Sequence, residues 1–193
     1  MKKVDRRISR TKKRLRESLT TLMQEKPVQS ITVREIAEMA DINRSTFYLH
    51  YQDVYDMVTQ IQDDMFQDFN DVMMEMPEKP TEEDMFLLTE EIFTVIQNNA
   101  DLVFVLLGKN GDTAFVEKLK DLVKERTLND WSKLIHSREQ ENFDYYYAFI
   151  IAGYIGVIEK WLKNGLKETP TQMAEITRTL IMSSPMIYER KKM

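Results

Sequence analysis

Residues 44–50 read Arg-Ser-Thr-Phe-Tyr-Leu-His, which places a guanidinium, two hydroxyls, a phenol and an imidazole in one short stretch. That set suits an oxygen-rich polyanion better than bond-making. Arginine pairs bidentately with a guanine edge, and hydroxyls, imidazoles and the N–H groups of a helix N-terminus bind phosphate oxygens. The usual catalytic patterns are missing: there is no glycine-rich phosphate loop, no nucleophile elbow and no metal-ligand spacing. Asp63-Asp64 and Glu82-Glu83-Asp84 are adjacent acids; on a helix such neighbours point apart and form a solvated surface. His50 and His136 are the only histidines, and cysteine is absent, which leaves no expected metal site. We expect no catalytic residue, no cofactor and no enzyme.

A reading segment needs elements that hold it. Val33, Ile36, Ala37, Ala40, Ile42 and Phe47 are spaced to lock two short helices across a tight turn, Ala37 being small where the helices cross, and this leaves Arg44, Ser45, Thr46, Tyr48 and His50 outward. Thr32 with Glu35 forms the reciprocal cap that opens the first of these helices, and Asn43 is a good N-cap for the second, which runs through Tyr48. A preceding amphipathic helix, about 5–25, carries Ile8, Leu15, Leu19, Leu22 and Met23 on one face and stops before Pro27. Three helices therefore fit the first 51 residues, a helix-turn-helix unit.

The segment "ITVREIAEMADINRSTFYLHYQD", residues 31–53, resembles the DNA-binding signature of the TetR/AcrR family of transcriptional regulators, whose helix-turn-helix ends in an aromatic-x-His-aromatic run. The resemblance implies a two-fold dimer with one recognition helix per major groove. It implies that Arg44, Ser45 and Thr46 reach base edges or phosphates, that Tyr48 and His50 hold backbone phosphates, and that Thr32 and Arg34 touch phosphate from the preceding helix. His50 has a second reading, as a helix cap. Two positions depart from the pattern. Asp41 stands where the turn usually has glycine, and it tolerates a left-handed backbone better than most residues. Val54 stands where the family usually has a phosphate-binding lysine.

Charge agrees with a polyanion partner at one end. The 193 residues carry a formal net charge of -5, yet residues 1–51 hold 12 basic and 6 acidic side chains, against 15 and 26 in the remainder. A head of +6 on a body of -11 points to double-stranded DNA at the head, and the basic arm before the first helix could add phosphate contacts. With 5 Gly, 5 Pro and 42% hydrophobic residues, the chain reads as folded and all-α. No apolar run approaches the roughly 20 residues of a membrane span, and no apolar core follows the basic N-terminus. A soluble, cytoplasmic protein without a membrane partner is expected.

We divide the chain at 52/53: residues 1–52 as the DNA-binding domain and 53–193 as a larger helical regulatory and dimerisation domain. Asp53 caps a helix that ends before Pro77, and further helices are expected at about 82–98, 101–108, 112–137, 141–164 and 170–183, the last opened by Thr169-Pro170 with Gln172. The helix at 141–164 is apolar on nearly every face and must be buried on two sides. One side is expected against its own domain. The other is expected against a second subunit, through Tyr147, Ile151, Tyr154, Ile158 and Trp161, joined by Met173, Ile176 and Leu180, with Gly153 and Gly156 permitting close approach. The resemblance likewise implies that the last two long helices form a four-helix homodimer interface.

Relatives of this kind bind a small effector among the body helices. Candidates for such a pocket are Phe66, Phe69, Met85 and Phe93, together with Phe104, Trp131, Tyr146 and Phe149; residues of these types at helical spacing also serve as plain core. The shortage of basic residues on apolar faces favours a neutral or cationic apolar molecule. The expected function is thus a ligand-responsive repressor acting as a dimer on a pseudo-palindromic operator. The alternative is a DNA-binding adaptor or coactivator controlled by a protein partner.

Overall fold

The computed structural model describes residues 6–77, 80–134 and 143–182, and there the chain is helical throughout. His136 and the expected helix ends at 137 and 141 lie outside the described residues. Helices α1 (Arg6–Glu25), α2 (Val33–Met39) and α3 (Arg44–Tyr48) are followed by α4 (Val54–Met74), α5 (Glu82–Asn98), α6 (Ala100–Leu106), α7 (Thr113–Leu134), α8 (Phe143–Lys163) and α9 (Pro170–Met182). A single 3-10 turn, Val28–Ser30, fills the gap behind Pro27.

Local chemistry explains most of the boundaries. Three helices start with a threonine whose hydroxyl accepts from a backbone N–H three residues on, while that residue's side chain accepts from the threonine's own N–H: Thr32 with Glu35, Thr81 with Asp84, and Thr169 with Gln172. Each cap satisfies two N–H groups that the first turn leaves without partners. Asp53 Oδ1 accepts from Asp56 N at 2.8 Å and opens α4. The end of α8 closes with Leu166 N donating to Trp161 O and Gly165 N to Leu162 O, both at 3.0 Å. Gly165 and Leu166 have φ of +77° and +55°, the left-handed backbone this closure uses.

The chain forms two compact units. The first comprises residues up to Phe66 together with Asp101–Val116; the second comprises Gln67–Ala100 and the residues from Glu117 onward. The edge of the first unit therefore differs from the 52/53 division read from the sequence, because most of α4, all of α6 but its first residue and the start of α7 fold with the head. Side chains bolt them there. Arg16 in α1 grips Asp101 in α6 through Nε (3.0 Å) and Nη2 (2.8 Å). Asn110 Nδ2 donates to Met23 O at 3.2 Å, and Gln62 Nε2 donates to Asp112 Oδ2 at 3.1 Å. Leu102, Val103, Val105 and Leu106 bury most of the apolar surface of α6. Gly111 sits so close to the end of α6 that a Cβ would collide with the Leu106 carbonyl oxygen, a backbone approach only glycine permits.

In the second unit α5 packs along α9, and α8 packs on α9 as well. Leu88, Phe93, Ile96, Trp161, Met173 and Ala174 are buried here. The Trp161 ring stands edge-on to Phe93 at 5.5 Å, with its Nε1 donating to Glu168 O at 3.0 Å. That bond meets the polar end of a large ring otherwise buried among apolar groups. Among the described residues no helix is long and apolar enough to cross a membrane.

Candidate nucleic-acid interface

The reading segment is held by the residues expected to lock it. Ile36, Ala37, Ala40 and Phe47 are buried, and Val33 and Ile42 are half-buried. The turn between α2 and α3 pivots on Asp41, whose φ is +52°. It is the aspartate that stands where glycine is usual, and its short side chain makes the left-handed backbone affordable. Asp41 also accepts from Arg14 Nη2 of α1 at 3.3 Å. Asn43 Oδ1 then caps α3, accepting from Ser45 N at 2.9 Å and Ser45 Oγ at 3.0 Å. Phe47 meets the rings of Tyr48 and Tyr51, each at 5.6 Å, and Lys12 of α1 lies over the buried Tyr51 ring at 5.7 Å.

On this frame Arg44, Ser45 and Tyr48 are exposed, whereas Thr46 and His50 are half-buried. Arg44 makes no ion pair or hydrogen bond with another described residue, so its donors are available. Arg34, exposed on α2, is already paired with Glu38 Oε1 at 2.6 Å, which raises its pKa through that hydrogen bond and the carboxylate charge. The Thr32 hydroxyl is taken up by its cap. Glu35 completes that cap and receives Lys26 Nζ. Hydrogen bonds from Lys26 and then Thr32 lower its carboxyl to about 2, well below the ordinary value of 4.5. Thr32 and Arg34 thus start with partners of their own, as does Ser45 through Asn43 Oδ1, while Arg44, Ser45 and Tyr48 form the exposed face. Directly after α3, Leu49 is a large apolar residue left 79% exposed, with no local sequence signal to single it out.

The first helix of the same unit is itself strongly basic. Arg6, Arg7, Arg10, Lys12, Lys13 and Arg14 are exposed, and no acid occupies its first turn. The positive end of the helix dipole adds to these cations.

The residues named for the second unit divide differently from their sequence grouping. Trp161 is 1% exposed and Met173 is buried, so intrachain packing removes both from any surface offered to another subunit. Tyr147 and Tyr154 also turn inward: Tyr147 Oη donates to Lys120 O at 2.6 Å, and Tyr154 lies 3.4 Å from the Thr89 hydroxyl and 6.5 Å from the Phe93 ring. Burial raises the Tyr147 pKa to about 12 and moves Tyr154 in the same direction. Ile151 and Ile158 are half-buried, and Ile176 and Leu180 are exposed. The open side of α8 carries instead Tyr145, Ala148, Phe149, Ala152, Gly153 and Gly156, with empty space around both glycines.

The pocket candidates are divided between the two units. Phe66 and Phe104 fall in the first unit, whereas Phe69, Met85, Phe93 and Phe149 fall in the second. Phe69 and Phe93 are buried core, Phe66 and Met85 are half-buried, and Phe104 and Phe149 are exposed. The side chains of Trp131 and Tyr146 lie outside what the structure describes.

Comparison with known proteins agrees with this architecture. Residues 83–183, just over half of the chain, match the TetR-family model described as transcriptional regulator C-terminal region. The uncharacterized HTH-type transcriptional regulator YxbF of Bacillus subtilis is 35% identical over 51 residues, which are 26% of this chain and 13% of that protein. The chain therefore spans only a small part of the length of this curated relative. The fatty acid degradation regulator FadR from Bacillus halodurans has a similar fold, with a TM-score of 0.59 at 16% identity over 91% of this chain and 96% of its own. FadR from Bacillus subtilis, in complex with stearoyl-CoA, gives 0.58 at 16% identity over 89% and 97%. With a helix-turn-helix head and a body that matches the family's C-terminal region, the chain belongs to the TetR family of transcriptional regulators.

Proposed function

We propose that the chain is a ligand-responsive repressor that binds a pseudo-palindromic operator as a homodimer, with residues 1–52 as its DNA-binding part and the rest regulatory and dimerising. The observation that carries this reading is the open polar face of α3. Arg44, Ser45 and Tyr48 point outward from a helix fixed by the buried Phe47, beside a basic, exposed first helix. Arg44 reads a base edge, while Tyr48, His50 and Ser45 hold phosphates, with Thr46 close by on the same helix. Thr32 and Arg34 join at the rim, Arg34 by exchanging Glu38 for phosphate. The open side of α8, with Phe149 and Tyr145 flanking Gly153 and Gly156, and Ile176 and Leu180 on α9, supplies the apolar surface for a second copy. Small residues between aromatic ones let two helices approach closely.

The effector is an apolar small molecule held in the second unit. The fold similarity to a FadR that carries stearoyl-CoA makes long-chain acyl compounds, with and without the CoA portion, the first to try. The test is fluorescence-anisotropy binding of the purified protein to DNA from upstream of its own gene and to scrambled DNA, across a salt series. A salt-dependent preference for the former, released by an acyl compound, is expected. Arg44→Ala should cost about 1–3 kcal/mol on specific DNA only. Equal loss on both DNAs would reassign Arg44 to phosphate, and no binding to either at low salt would overturn the reading.

A further inference from the structure

The geometry points to Leu49 as a specificity-determining residue that reads a thymine 5-methyl group in the major groove, an inference that rests on the operator reading above. Leu49 continues the α3 backbone with φ -72° and ψ -18°, so helical spacing extends to it. At about 100° per residue, Ser45 and Leu49 lie about 40° apart, and each stands about 160° around the helix from Phe47. Arg44 and Tyr48 lie only about 60° and 100° from Phe47 by the same count. Phe47 is fully buried, so the direction opposite it is the outermost ridge of the helix. Ser45 and Leu49 occupy that ridge, one turn apart.

A single exposed leucine is ordinary on a protein surface; its place on this ridge is what carries information. Arg44, Ser45 and Tyr48 around it all address hydrogen-bonding groups. The thymine edge offers one acceptor and one methyl, and cytosine offers a donor and no methyl. A hydrogen-bonding side chain cannot detect the methyl, whereas a leucine set against it removes apolar surface from water on both partners. Leu49 would then favour thymine over cytosine at one position in each half-site. Having no charge, it would leave the salt dependence of binding untouched.

The test uses the full-length protein. A duplex site is enriched from a random pool, and each thymine in it is exchanged singly for deoxyuridine, which removes only the methyl. One position per half-site should lose about three- to fivefold in affinity, the worth of one methyl group. Leu49→Ala should lose a similar factor on the unmodified site and be indifferent to the exchange at that position. Its helicity and its low-salt binding to random DNA should match the parent. A site indifferent to every exchange, a Leu49→Ala variant as sensitive as the parent, or equal loss on random DNA would each overturn this inference while leaving the operator reading standing. Failure to enrich any sequence would overturn both.

Discussion

Replacing Phe47 by alanine tests whether the head works as described, because α3 has only five residues. Isolated helices shorter than about 12–15 residues do not hold their shape in water, so α3 owes its order to packing, and Phe47 is its one buried side chain. Removing a fully buried phenylalanine costs about 3–5 kcal/mol, the lost transfer energy plus the cavity. The ring contacts to Tyr48 and Tyr51 at 5.6 Å belong to that sum. Against a domain stability of about 5–15 kcal/mol, the loss is about a fifth or more of what holds the head. Both tryptophans, Trp131 and Trp161, belong to the second unit, which provides two independent readouts. Urea unfolding at fixed protein concentration should show helix content, by far-UV circular dichroism, falling well before tryptophan fluorescence changes. DNA affinity should collapse on specific and random sequences alike. If Phe47→Ala moved the first transition by less than about 1 kcal/mol, or left DNA binding intact, the argument that packing through one ring orders the reading helix would be wrong.

Three further outcomes are expected. Asp41→Ala should destabilise the head by about 1 kcal/mol, since alanine lacks the polar side chain that eases a left-handed backbone, while Asp41→Gly should stay within about 1 kcal/mol of the parent; urea midpoints decide. Glu35 has a folded pKa of about 2 against 4.5, so the unfolded chain binds the extra proton first. Its contribution is complete above pH 4.5 and is lost as pH falls towards 2. The melting-temperature difference between the parent and Glu35→Gln should therefore shrink across that window, and a constant difference would contradict the assignment. Phe149→Glu, at a position 68% exposed, should halve the mass in sedimentation without lowering helix content. An unchanged mass would take the open side of α8 out of the dimer contact.

The head was largely legible because its signals are local. Thr32 with Glu35, Asn43 before Arg44, and Pro27 each act within a few residues, and the left-handed turn at Asp41 followed from the chemistry of one side chain. The composition of the first unit was not legible. The bonds that join α6 and the following loop to the head, Arg16 to Asp101, Asn110 to Met23 and Gln62 to Asp112, span 85, 87 and 50 residues, and no local pattern announces such pairs. The side of α8 that faces inward was hidden for a different reason: an almost uniformly apolar helix has no period to say which stripe is covered. Tyr147, Tyr154 and Trp161 were assigned to the outer side, and intrachain hydrogen bonds take them inward. Leu49 carries no hydrogen-bonding group to mark it in the sequence, and only its angle around the helix from the buried Phe47 sets it apart.

The closure of α8 bears on how a second copy would associate. Trp161 accepts from Leu166 through its carbonyl and donates to Glu168 through its ring, so one buried residue fastens the short connector at two points before Thr169 begins α9. The angle between α8 and α9 is thereby set within a single subunit. Surfaces already held in their bound arrangement lose little conformational freedom on meeting, and association then proceeds as docking of finished shapes. If two copies pair as proposed, such rigidity favours the paired state, and loosening Trp161 would weaken pairing without touching a residue of the proposed contact.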